Sequence, residues 1–173
     1  PPPAPAESRA EPPANIDKIV RSLAPKYELD PLLVLAVIEV ESIFNPFALS
    51  PKNAMGLMQL IPETSERFGV RKPFDPRDNV QGGMAYLRWL MAYFEGDVML
   101  VAAAYNAGEG TVNRYLGIPP YAETRAYVLR ILANIDSFVH PFDPNVTNPS
   151  PQMRRLRPPS APRISRKRLM RTS

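Results

Sequence analysis

The sequence predicts an all-α protein with one compact domain over residues 15–140. Three observations carry this. Apolar residues recur at three- and four-residue spacing in several segments. Pairs such as Asp30-Pro31 and Asn45-Pro46 stand where helices would start and stop. No long segment alternates apolar and polar residues with the period of two that a half-buried strand requires.

The folded part is expected to begin near Asn15. Ile16, Ile19, Val20 and Leu23 then fall on one helical face, and Pro25 ends the run. In the next helix Asp30 suits the N-cap and Pro31 the first helical position. Leu32 to Ile38 are apolar on every face, which predicts a helix through the middle of the domain. β-branched residues there also suit a buried strand, but length and the Asp-Pro start favour a helix. Residues 48–61 read as a loop followed by a short apolar segment. Pro62 starts a short helix that Gly69 can cap. Asp78 is expected to cap a long helix in which Val80, Gly83, Met84, Leu87, Leu90, Met91 and Phe94 share a face. Gly82 and Gly83 are costly inside a helix and imply close helix–helix contact. Gly96-Asp97 breaks and recaps the chain before a second helix that is apolar nearly all round. Thr111 is expected to cap a turn ending near Tyr115. A last helix is expected over 123–139, with Tyr127, Val128, Ile131, Leu132, Ile135 and Phe138 inward.

Composition divides the chain into three. Of the 22 prolines, six lie in residues 1–14 and seven in residues 141–173. Residues 1–14 therefore read as a Pro/Ala-rich linker and residues 141–173 as a Pro-rich, disordered tail. The net charge of +4 is a property of that tail, which holds eight Lys/Arg and one Asp, whereas residues 15–140 hold 12 Lys/Arg and 14 Asp/Glu. The tail suits either a solubilising end or an anionic partner. It lacks interleaved aromatic residues and the domain is slightly acidic, so nucleic acid is not expected as a partner. There is no cysteine, which excludes disulfides and thiolate metal sites. The single histidine, His140, has no companion ligands in view, so neither a metal nor any other cofactor is expected. No run of ~18 apolar residues is present to span a membrane. No signal peptide is visible, and a start at Pro1 without methionine leads to the expectation that an upstream part has been removed.

Four blocks contain residues suited to chemistry. Glu41 ends an otherwise apolar helix, where burial would raise its pKa toward what a general acid needs near neutrality. Glu39 is two residues away and points to the opposite side, so the two cannot face one cleft. The alternative is that each is a paired or solvated helix-end carboxylate. Gly56-Leu57-Met58-Gln59, after Ser50, places an amide able to donate and accept in an apolar run; the alternative is an amphipathic core segment. Tyr105 and Asn106, in Ala-Tyr-Asn-Ala-Gly, offer a ring face and polar handles of the kind a pyranose requires; the alternative is a helix C-cap. Glu123-Thr124 and Tyr127 share a helical face; the alternative is an N-terminal carboxylate favoured by the helix dipole plus a core tyrosine.

Each block alone is weak, but their order and spacing together resemble the soluble lytic transglycosylase (SLT) domain family, which is related to goose-type lysozyme. The resemblance covers roughly residues 17–136. It implies a lysozyme-like helical fold with a glycan-binding groove, and it assigns catalysis to the glutamate before serine in the first block, Glu41 rather than Glu39. It further implies groove residues at Ser50, Met58, Gln59, Tyr105, Asn106, Glu123 and Tyr127. Many members carry Met two residues after the motif glutamine; here the position is Ile61.

The implied substrate is the glycan strand of peptidoglycan. The implied reaction cuts the β-1,4 bond from N-acetylmuramic acid to N-acetylglucosamine with one acid/base glutamate and closes a 1,6-anhydro ring. The implied compartment is the periplasm, and a monomer is expected. A secretion or flagellar machine that opens the wall is a candidate partner. Two rival readings stand beside this one, a hydrolase of the same bond and a non-catalytic glycan-binding or scaffolding module.

Overall fold

The computed structural model describes residues 10–156, which form eight α-helices and one 3₁₀ turn. Among the described residues there is no strand, only isolated bridges at Leu49–Met55, Met55–Leu60 and Asp97–Val139. The helices are α1 (Ala14–Leu23), α2 (Pro31–Ser42), α3 (Pro62–Arg67), α4 (Pro76–Tyr93), α5 (Val98–Ala107), α6 (Glu109–Tyr115), α7 (Ala122–Leu132) and α8 (Pro151–Leu156). The all-α expectation therefore holds.

α2 is the central helix. The Asp30 carboxylate accepts from Leu32 N–H at 2.9 Å, and Pro31 follows at the first position. Leu33 to Ile38 are all buried, against α1 on one side and α7 on the other. Each buried Leu, Ile or Val side chain contributes roughly 1.5–3 kcal/mol, which outweighs the modest helix propensity of the β-branched residues. His140 clasps the start of α2. Its Nε2 accepts from Asp30 N–H (3.0 Å) and its Nδ1 faces the Pro141 carbonyl (2.6 Å), the pattern of a neutral ring protonated on Nδ1.

α4 is capped by Asp75, not by Asp78 as the sequence led one to expect. The Asp75 carboxylate accepts from Asp78 N–H at 2.9 Å, and Pro76 takes the first position, repeating the Asp-Pro start of α2. Asp78 instead accepts from Arg71 N–H and Lys72 N–H, fastening the preceding loop. Gly82 and Gly83 are buried as expected, but a loop and not a helix comes close. A Cβ on Gly83 would strike the Met58 side chain, and one on Gly82 would strike Val70. α6 starts from Gly108 at φ 87°, so Thr111 lies inside the helix and does not cap it.

The last predicted helix is shorter than 123–139. α7 stops at Leu132, Phe138 is exposed, and residues 138–140 run back along the α4–α5 junction. Phe138 accepts from Val98 N–H, and His140 N–H donates to Gly96. Asn134, Asp136 and Ser137 favour such turns because their side chains compete for backbone partners. The chain does not leave the domain at residue 140. Ser150 is buried, its N–H donates to the Tyr93 carbonyl at 2.9 Å, and its hydroxyl donates to Asn113 Oδ1 at 2.6 Å. Residues 141–156, assigned by composition to the tail, thus lie against α4 and α6. The remaining parts of the two compositional ends, residues 1–9 and 157–173, fall outside the described residues.

Candidate active site

The site forms where the last turn of α2, the end of α5 and the start of α7 meet a loop over residues 48–61. Glu41 lies in that last turn of α2 and is only partly exposed. Burial raises its pKa from 4.5 to about 7; the nearby Tyr127 hydroxyl opposes the rise and the Glu123 carboxylate adds to it. A carboxyl held there can keep its proton at neutral pH and also give it up. Glu39 faces away from Glu41, and its Oε1 accepts from Ala10 N–H at 3.0 Å.

Two tyrosines surround Glu41. Tyr105, from α5, donates its hydroxyl to the Met58 carbonyl at 2.6 Å, so a side chain of the helical wall ties down the loop. Tyr127, from α7, is buried, and its hydroxyl completes no hydrogen bond of good geometry although it lies close enough to Glu41 to steady the carboxylate charge. Burial first, then the Glu41 charge, pushes both phenols well above their ordinary pKa, so both stay neutral donors. Asn106 joins α5 to α7. Its Oδ1 accepts from Thr124 Oγ1 at 2.8 Å and its Nδ2 reaches Glu123 Oε1 at 3.5 Å.

The loop has its own scaffold. Gln59 sits at φ 51° and its Nε2 donates to the carbonyls of Ala48 (3.0 Å) and Gly56 (2.9 Å). Ser50 Oγ accepts from Lys52 and Ala54 N–H groups, folding a tight turn. Gly56 has φ 78°, and a Cβ there would collide with the Pro73 carbonyl and Asn79. Thus Glu41, Tyr105, Asn106, Glu123 and Tyr127 come together, with Ser50 and Gln59 in the neighbouring loop. Met58 differs: its side chain is buried against Gly83, and only its backbone takes part at this surface.

Two residues escaped the sequence reading. Asn79 is fully buried; its Oδ1 accepts from Met58 N–H (2.8 Å) and its Nδ2 donates to the Met55 and Pro73 carbonyls. A polar residue beside Val80, at the edge of an apolar helix face, was the available signal. Ser42 is also buried, its hydroxyl lying between the carbonyls of Ile38 (3.0 Å) and Leu57 (2.7 Å), which pins the Glu41 end of α2 to the loop. Among the described residues no three His, Asp or Glu gather as a metal site, and both His140 ring nitrogens face backbone groups.

Residues 18–128 match the model of the transglycosylase SLT domain. The chain belongs to that family. It is 38% identical to the transglycosylase of Enterobacteria phage PRD1 over 70% of this chain and 43% of that protein. It is also 38% identical to the membrane-bound lytic murein transglycosylase C of Actinobacillus pleuropneumoniae, over 60% of this chain and 33% of the other. Among solved structures, an inactive Glu-to-Gln variant of the lytic transglycosylase Slt from Pseudomonas aeruginosa superimposes with a TM-score of 0.61 at 32% identity, covering 68% of this chain and 22% of that one. The chain therefore spans less than half the length of these relatives.

Proposed function

We propose that this SLT domain is a peptidoglycan lytic transglycosylase in which Glu41 is the single acid/base. The observation that carries this reading is Glu41 itself, a buried carboxyl with a pKa of about 7, flanked by two neutral tyrosines at the junction of α2, α5 and α7. The relatives named as transglycosylases, and the inactivity of a Slt variant lacking one glutamate, support it.

Protonated Glu41 gives its proton to the glycosidic oxygen between N-acetylmuramic acid and N-acetylglucosamine as the C1–O bond breaks. The resulting carboxylate takes the proton of the 6-hydroxyl of the same muramic acid, and that oxygen closes on C1. Glu41 ends protonated, no water is consumed, and the product is a 1,6-anhydro sugar. Ordinary glycosidases place a second carboxylate at about 5 Å as nucleophile or 6.5–9.5 Å as base. Glu123 is the nearby candidate, but it is engaged with Asn106, and we assign it to ordering the site. Tyr127, with its hydroxyl unspent beside Glu41, is suited to hold the carboxylate in its charged phase or to meet the sugar. Ser50, Gln59, Tyr105 and Asn106 would line the glycan groove, and Met58 would contribute its backbone. The wall-facing compartment follows from where the substrate lies. Among the described residues no helix is long and apolar enough to cross a membrane.

Digestion of purified peptidoglycan by wild-type and Glu41→Gln protein tests the reading. Wild type should release 1,6-anhydro muropeptides, lighter by one water than hydrolysed ones, and the variant none. Reducing-end products would instead establish a hydrolase, and binding without products a non-catalytic module.

A further inference from the structure

Beyond the residues already placed at the site, a second cluster stands behind Tyr105. Tyr86 of α4 is buried, with its ring 5.4 Å from the Tyr105 ring and 5.5 Å from Phe68. Its hydroxyl donates to Glu109 Oε2 at 2.7 Å. Glu109 opens α6, directly after the Tyr105–Gly108 block, and its other oxygen accepts from Arg67 at 2.9 Å. Arg67, at the end of α3, lies over the Trp89 ring at 4.2 Å and the Phe68 ring at 4.9 Å. The chain of contacts therefore runs from Arg67 through Glu109 and Tyr86 to Tyr105, and from Tyr105 to the Met58 carbonyl.

We propose that Glu109 and Tyr86 are positioning residues: Glu109 fixes Tyr86, Tyr86 braces the Tyr105 ring, and Tyr105 holds the Gly56–Leu60 loop against α5 beside Glu41. Three features support this. A buried phenol needs an acceptor, and a carboxylate is the strong one available. A tyrosine ring that is packed and hydrogen-bonded at its far end gives Tyr105 a rigid wall. Burial would raise the Glu109 pKa, yet the Tyr86 hydroxyl, its own backbone and Arg67 together hold it below its usual value, so the acceptor stays charged. The exposed Arg67–Glu109 pair is worth little by itself; the essential link is the hydrogen bond to Tyr86. The catalytic consequence rests on the function proposed above, while the structural coupling does not.

Two readouts separate these. On a soluble glycan substrate, Tyr86→Phe and Glu109→Ala should each lower kcat about tenfold with KM within about threefold, while thermal melting shows both variants folded. Glu109→Gln keeps an acceptor for Tyr86 and should retain most of kcat. Tyr86→Phe combined with Glu109→Ala should be no worse than the poorer single variant, because both break one unit. Independently of activity, amide exchange at Met58, whose N–H donates to Asn79 of α4, and at Leu60, whose N–H donates to the Met55 carbonyl, should quicken at least fivefold in Tyr86→Phe and Glu109→Ala but not in Glu109→Gln. Wild-type kcat in the variants, additive losses, or a Glu109→Gln as poor as Glu109→Ala would overturn the proposal. Unaltered exchange would do the same even if the wild-type protein cut no glycan, an outcome that by itself would sink only the proposed function.

Discussion

The perturbed carboxyl at Glu41 makes a quantitative claim about stability as well as catalysis. A rise from 4.5 in the unfolded chain to about 7 in the folded one corresponds to about 3 kcal/mol. Below 4.5 both states hold the proton and Glu41 is neutral to folding. Between 4.5 and about 7 the unfolded chain sheds its proton while the folded one keeps it, so stability falls as pH rises. Above about 7 the folded protein carries a buried charge and the full penalty applies. Glu41→Gln removes the titration while keeping shape. The variant's stability relative to wild type should therefore improve by about 3 kcal/mol between about pH 4 and about pH 8. For a domain of this size that is a change of roughly 6–12 °C in the melting difference. Urea or thermal unfolding of both proteins across that range measures it. Using the difference between the two cancels every other titrating group. A gap that stays constant with pH would refute the picture of Glu41 as a desolvated acid, and a gap moving the other way would mean that a cation or donors stabilise its charge.

Three further outcomes follow from the same geometry. If Glu41 must start protonated, kcat/KM for glycan cleavage should decline as pH rises through about 7, and a flat profile up to pH 9 would deny it the role of acid. Asn79→Ala removes three hydrogen bonds from a fully buried side chain and takes the side-chain partner from Met58 N–H and from the Pro73 carbonyl, while the Met55 carbonyl keeps Leu60 N–H; it should cost about 2–5 kcal/mol in urea unfolding, and a loss under 1 kcal/mol would mean that the loop does not depend on it. Gly83→Ala places a methyl against the Met58 side chain and should destabilise by about 1–3 kcal/mol despite alanine's better helix propensity; a more stable variant would show that this contact has slack.

What could be read from the sequence, and what could not, divides along a physical line. α2 was legible because its signals are local: an Asp-Pro start, seven apolar residues in a row from Leu32 to Ile38, an Asn-Pro stop. The end of α7 was not. Its apolar spacing continues through Ile135 and Phe138, but residues 138–140 instead bond to Val98 and Gly96, partners about forty positions earlier that no local pattern announces. The same holds for residues 141–156, where proline content suggested a tail although Ser150 is buried between Tyr93 and Asn113. At the site, Tyr105, Tyr127 and Glu123 lie close enough to act on Glu41 and Asn106 reaches Glu123, whereas Ser50 and Gln59 shape the neighbouring loop, and Met58 is the informative case. Met58 looked like a groove residue because it stands in the motif. Its side chain fills the hollow left by Gly83, and its backbone holds the loop through Asn79 and Tyr105. A motif position marks a requirement without saying whether the side chain or the backbone meets it.

The two glutamates of α2 show how a single helix can set up an acid. Glu39 and Glu41 differ by two positions, about 200° around the helix. The first turns to the Ala10 N–H and has an ordinary partner. The second turns into the junction of α5 and α7, where the surroundings are apolar packing, two phenols and another carboxylate. No Lys or Arg is among the influences on Glu41, so only the Tyr127 hydroxyl works against the cost of burying its charge. Exchanging that neighbourhood for a cation would lower the pKa and remove the proton the glycosidic oxygen needs. Tyr105→Arg is the sharpest form of that exchange, because it places the cation on a residue close enough to feel the Glu41 charge. It should abolish cleavage at neutral pH while erasing the stability gap between the Glu41→Gln and Glu41 forms of the same background. Retained activity in that variant would mean that Glu41 is not used as an acid.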